Sequence, residues 1–332
     1  MKHTIRTFQR FVRAASVITA VVILGAAAAH AQEGTTEVPD VILIEQPALY
    51  PEGIEYDAVN DRFLVGSLSQ GGILEVTGSG APTALISDTD VPSSVGIQID
   101  AERNRLLVVS SDTRLFLDPT LPSHAALAAY DLETGERLFL TDLAAATEYR
   151  PNVANDVAVD AEGNAYVTDT FAPVIYRVDV DGNASIFWED ERFSGMGGPG
   201  LNGIEYHPDG YLLVPMMITQ GMYKIPVDDP AALTAVTIDQ PIIGADGVIL
   251  HPDGRLIIVA GQTGTVYALR SNDEWETASV DGVFAVQPGT VASTATIRDG
   301  EVYVLYAHLE VMMAGLTPPD VFEIVRAEFV SP

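Results

Sequence analysis

The chain of 332 residues contains no cysteine. Disulfides and thiolate metal sites are excluded together, so any bound metal must be held by oxygen or imidazole. Positive charge is scarce as well: 17 Lys and Arg stand against 46 Asp and Glu, a formal net charge of −29. A surface this acidic repels nucleic acid and anionic membranes and raises the local cation concentration. The same charge would also serve solubility alone. Beyond the first 31 residues no long uncharged apolar run occurs, which leaves no candidate for a membrane-spanning helix there. Also missing are a Ser nucleophile elbow, a phosphate-cradling Gly loop and a His-rich cluster, and their absence disfavours redox copper or zinc chemistry.

The N-terminus is a separate object. Lys2, Arg6, Arg10 and Arg13 precede an apolar run from Ala14 to Ala29, and Ala29-His30-Ala31 has the small-x-small pattern of a secretory cleavage site. A membrane anchor is the rival reading, but the run of 16 residues is short for a span. The expectation is a signal peptide over 1–31, cleaved after Ala31. The mature protein, residues 32–332, would then be a single domain that is periplasmic or secreted, has no remaining membrane span and is monomeric.

What is present is a repeat. LNGIEYHPDG from Leu201 returns 44 residues later as ADGVILHPDG from Ala245, and looser copies begin at Pro51, Ser94, Ala154 and Ser293. In each HPDG, Pro presets the first corner of a tight turn and Gly supplies the left-handed residue that closes it, so the motif joins two strands of a hairpin. Aligning all copies places Gly53, Gly96, Asp156, Gly203, Gly247 and Thr294 at one repeat position. Six units of short strands and Gly turns predict an all-β fold, a six-bladed β-propeller. A strand near Val41–Ile44 has no local partner, and pairing it with the C-terminal run 320–330 would close the ring.

The residue before the repeat position is Glu52, Val95, Asn155, Asn202, Asp246 and Ser293 in turn. Inner strands of a propeller run parallel around a channel, so these residues should ring one mouth. Glu52 and Asp246 offer two carboxylates and Asn155 and Asn202 two amide oxygens, a hard donor set that suits Ca²⁺ better than zinc. Asn and Asp before Gly are also ordinary turn residues, and a metal here could merely plug the channel. The long connections, at 110–126, 142–154, 189–201 and 309–319, fall on the same face as the ring and suggest a lidded mouth.

The motifs PEGIEYD, NDVAVDAEGNAYVTD, LNGIEYHPDG and GADG resemble the six-bladed propeller superfamily of senescence-marker protein (regucalcin), gluconolactonase and diisopropyl fluorophosphatase. The resemblance runs from Asp40 onward. It implies a catalytic Ca²⁺ or similar divalent ion on Glu52, Asn155, Asn202 and Asp246, and metal-assisted hydrolysis of a small ester or lactone. Asp246, or Glu52, would be the general base or nucleophile, with Asp246 favoured by the resemblance. Ser293 and His308 fall where the fluorophosphatase branch has polar active-site residues, which makes Ser293 a substrate contact and His308 a proton shuttle. The sugar-lactonase branch has an Arg where this chain has Val153. Arg150 lies nearby but out of register, as a further candidate substrate contact. The alternative from another class is a metal-plugged propeller that binds a ligand or protein without catalysis.

Overall fold

A computed structural model describes residues 39–332 apart from 79–81, 117–119, 197 and 220. The expected signal peptide lies outside the described residues, as do parts of the loops around 117–119 and 197. Six antiparallel sheets follow one another along the chain. Blade one is Ile54–Asp57, Arg62–Gly66, Ile73–Val76 and Pro82–Ile86; blade two is Ser94–Asp100, Arg105–Ser111, Ala125–Asp131 and Arg137–Asp142. Blade three runs from Ala154–Val159 to Ala184–Glu189, and blade four from Glu205–His207 to Thr234–Ala235. Blade five, from Val248–Leu250 to Thr277–Ala285, carries an unexpected fifth strand, Thr237–Ile238, paired parallel to its outer edge.

Blade six combines Ala292–Arg298, Glu301–Tyr306 and Phe322–Arg326 with the N-terminal strand Val41–Ile44. The register places Val41 opposite Val325 and Ile44 opposite Phe322, so both ends of the chain close the ring as the sequence leads one to expect. Ile42 and Ile44 are buried while Val41 and Leu43 face solvent, the alternation of an edge strand packed on one side.

Second strands such as Arg62–Gly66 and Leu256–Ala260 are buried along their whole length because a neighbouring blade covers each face. One apolar cluster runs without interruption through Leu305, Phe63, Leu107 and Val167, from blade six to blade three. Burial between blades, rather than within one, stabilises such a fold.

The repeat glycines have a specific reason. A Cβ on Gly53 would lie 2.4 Å from the Val95 carbonyl oxygen, and one on Gly203 would lie 2.3 Å from that of Asp246. At this position the next inner strand comes too close for a side chain.

A belt of hydrogen bonds follows the same level around the channel. The Ser94 N–H donates to Ser67, Gly203 to the Asp246 carbonyl and Gly247 to that of Ser293. The Ser111, Thr168 and Ser293 hydroxyls donate to the carbonyls of Ala154, Asn202 and Glu52. These six bonds tie every blade to its successor. On the opposite face the HPDG turns form as expected, with Gly210 and Gly254 at φ of 88° and 86°. There His251 reaches the Gly300 carbonyl and His207 stacks on Tyr211, so both are structural.

Candidate functional site

Each candidate ligand sits at the level of that belt, so its backbone cannot shift independently of the neighbouring blade. Glu52, Asn155, Asn202 and Asp246, from blades one, three, four and five, converge with Val95 on one cavity of about 330 Å³. All four are buried, between 5 and 8% exposed.

Burial and then the charges of Asp246 and Asp156 push the Glu52 carboxyl well above the usual carboxylate range. Burial also raises Asp246, a rise partly offset by a hydrogen bond from Asn202 and reinforced by Asp156. Among the described residues no Lys, Arg or His lines this cavity. Two like charges in a low-dielectric site without a counter-ion favour a bound cation.

Asn155 makes the same demand by hydrogen bonding. Its Nδ2 donates to Thr170 Oγ1 at 3.0 Å, while its Oδ1 is buried without a donor. An orphaned buried acceptor costs about 1–3 kcal/mol. A divalent cation accepting that oxygen together with the two carboxylates would relieve both costs, and the hard, all-oxygen set fits Ca²⁺. Among the described residues there is no group of three or more His, Cys, Asp or Glu placed to hold a metal. The ring depends on amide oxygens for half of its donors.

Below the ring lies a second chamber of about 280 Å³ that shares Glu52 and Asn202 with the first. Glu55, Asp156 and Glu205 line it, and burial raises all three carboxyls, Asp156 and Glu205 to about 7. Sequence reasoning placed Asp156 at the repeat position without a role and missed Glu55 and Glu205, although a Glu between apolar neighbours in GIEYD and GIEYH was the available signal. Their role is visible in their partners. Asp156 accepts from the Ile204 N–H and Glu205 from that of Leu250, while Thr296 accepts from Tyr56. Inner strands have no partner strand on the channel side, and the adjoining blade satisfies their exposed N–H groups with side chains.

Three expected site residues lie elsewhere. Ser293 is fully buried and donates to the Glu52 carbonyl, so its hydroxyl serves the belt and does not face the cavity. Arg150 lines a separate surface depression with Ser123 and His124, and its guanidinium donates to the Ala144 carbonyl and to Asn152 Oδ1. The 142–154 connection bearing it turns away from the ring. His308 also does not line the cavity: Nε2 meets Glu323 Oε2 at 2.8 Å and Nδ1 meets Glu310 Oε1 at 3.2 Å. Held between two carboxylates, with the hydrogen bond to Glu323 raising its pKa, it fastens the short helix Leu309–Met313 to the C-terminal strand. The other long connections do overhang the ring, and they supply Thr113, Pro199, Leu309 and Met312 to the cavity wall.

The fold and site together define a six-bladed propeller with an oxygen-donor ring at one channel mouth. In fold the chain is similar to the major allergen Mala s 1 of Malassezia sympodialis, at 17% identity and a TM-score of 0.73 over 88% of this chain and 97% of that one. It is also similar to a gluconolactonase of Xanthomonas campestris (17% identity, TM-score 0.59, 88% and 91% covered). A third neighbour is the calcium-binding protein regucalcin of Agrobacterium tumefaciens (16% identity, TM-score 0.58, 87% and 94% covered). At these identities the likeness establishes the fold, and the resemblance drawn from the repeat motifs is met at that level. No protein-family model matches the chain, and no curated protein matches it in sequence.

Proposed function

We propose that the protein is an exported hydrolase of small esters, lactones first, that depends on a divalent ion, with Ca²⁺ the best fit. The observation that carries this reading is the buried Glu52 and Asp246 pair sharing with the unpartnered Oδ1 of Asn155 a cavity that no Lys, Arg or His lines among the described residues. The fold shared with a gluconolactonase and a calcium-binding protein supports it.

Glu52, Asn155, Asn202 and Asp246 would hold the ion. When bound, such an ion supplies Lewis acidity toward the carbonyl or phosphoryl oxygen of an ester. The chain's own residues do the rest. A carboxylate oxygen of Asp246 accepts the proton of an attacking water, or attacks directly, and Glu52 is the other carboxylate of the ring. Asn155, held through Nδ2 by Thr170, keeps its oxygen aimed at the centre. Thr113, Leu309 and Met312, over the ring, would restrict bulk water.

The test is Asp246→Asn, scored at saturating Ca²⁺ for turnover on a panel of lactones, aryl esters and phosphotriesters. Turnover should fall by at least ~10²-fold while the fold is retained. If the wild-type protein loaded with metal hydrolyses no member of the panel above the Asp246→Asn background, the hydrolase reading gives way to a metal-plugged binding module.

A further inference from the structure

The cavity above the ring is divided by chemistry. Its polar lining is the ring, its floor, together with Thr113, Thr170 and Gln262, whereas Leu68, Val95, Met217, Val291, Leu309 and Met312 supply a larger apolar share, its wall. Two of these come from the short helix Leu309–Met313, which stands over the mouth with Met313 still 52% exposed. The third charged group, Glu310, is committed to the Val291 N–H at 2.8 Å and to His308. No cationic side chain lines the cavity among the described residues.

From this division we infer that the ligand is a neutral amphiphile, with one electron-rich oxygen function for the floor and an alkyl or aryl body for the wall. The inference rests on the hydrolase reading only for the reaction that follows binding. With the ion offsetting Glu52 and Asp246, an anionic ligand would still meet Glu310 and, among the described residues, no Lys or Arg in the lining. Beyond the ring, a polyhydroxylated lactone would find only Thr113, Gln262 and the already engaged Thr170 for its hydroxyls, and would set the rest against thioethers and branched alkyl groups once water is expelled. An alkyl-substituted lactone meets neither penalty, because its chain covers the wall as its carbonyl reaches the floor. Hydrolysis of such a lactone adds water across the acyl C–O bond. The water oxygen joins the carbonyl carbon, the ring oxygen leaves as a hydroxyl carrying one proton, and the new carboxyl releases the other to solvent. The product is therefore anionic, and among the described residues the cavity offers it no Lys or Arg and one further carboxylate, Glu310.

The experiment measures kcat/KM with Ca²⁺ for γ-valerolactone, γ-octalactone and γ-decalactone against δ-gluconolactone. Calorimetry with the matching γ-alkyl lactams, which resist hydrolysis, reads binding separately. Along either series the measured quantity should rise by up to about four-fold per added methylene until the wall is covered. Met312→Ser and Leu309→Ser should each lower the γ-decalactone value about tenfold and leave Ca²⁺ affinity unchanged, with a modest fall in melting temperature because both side chains also pack on the core.

A flat series, or δ-gluconolactone turned over as well as γ-decalactone, overturns the amphiphile inference and leaves the hydrolase reading standing. Lactam binding with the expected slope but no lactone hydrolysis supports the inference and removes the hydrolase reading. Neither binding nor hydrolysis removes both.

Discussion

At the scale of single residues, an oxygen at the channel mouth matters only when its side chain is free to leave the backbone belt. Asn155 and Ser293 occupy equivalent repeat positions, yet the amide oxygen of Asn155 is unpartnered while the Ser293 hydroxyl is spent on the Glu52 carbonyl. Spacing placed both at one level of the propeller. Spacing could not tell them apart, because a hydroxyl is short enough to turn back to a neighbouring carbonyl and an Asn amide is long enough to reach the axis. His308 was misjudged for a related reason: its partners Glu310 and Glu323 lie on a helix and a strand whose meeting no local pattern announces. Its hydrogen bond to Glu323 holds the folded pKa above the unfolded value of about 6.5. The clamp therefore contributes fully below that value and is lost as pH rises through the folded one. His308→Gln should lower the melting temperature by roughly 2 °C, or about 1 kcal/mol, near pH 6 and by less near pH 9. Equal losses at both pH values would remove the charged clamp.

At the scale of the strand and turn, the sequence was most legible where geometry leaves one residue type possible. The repeat glycines and the HPDG turns are of this kind, and together with looser copies that carry Asp156 and Thr294 at the repeat position they counted six blades. Gly203→Ala would put a Cβ against the Asp246 carbonyl, so it should cost about 1–3 kcal/mol and weaken Ca²⁺ binding by moving Asp246. Gly254→Ala meets open space but must adopt φ near 86° on the far face, so it should cost about 1–2 kcal/mol and leave Ca²⁺ affinity unchanged. Thermal melts and metal titration of the two variants separate crowding from backbone strain. The fifth strand at Thr237–Ile238 was not legible, since two residues carry no periodicity. The lidded mouth was legible from the long connections, but its apolar character was not. The sequence placed 309–319 among the long connections over the mouth, but did not show that Leu309 and Met312 would form a short helix lining the cavity.

At the scale of the whole molecule, ring closure and site construction are one event, because the belt that joins blade six to blade one passes through Glu52. The pairing of Val41 with Val325 offers a clean probe in a chain that has no cysteine. Val41→Cys with Val325→Cys should oxidise to a single disulfide and stabilise the fold by about 2–4 kcal/mol, reversed by reductant. Failure of the bond to form would contradict the closure described here. Given a closed ring, the central claim is that four donors from four blades hold one divalent cation. Calorimetric titration of chelator-stripped protein with Ca²⁺ tests it most directly. The wild type should bind one equivalent, Asn155→Ala should bind about tenfold or more weakly, and Glu52→Gln with Asp246→Asn should bind none. No uptake by the wild type, or undiminished uptake by the double variant, would contradict it.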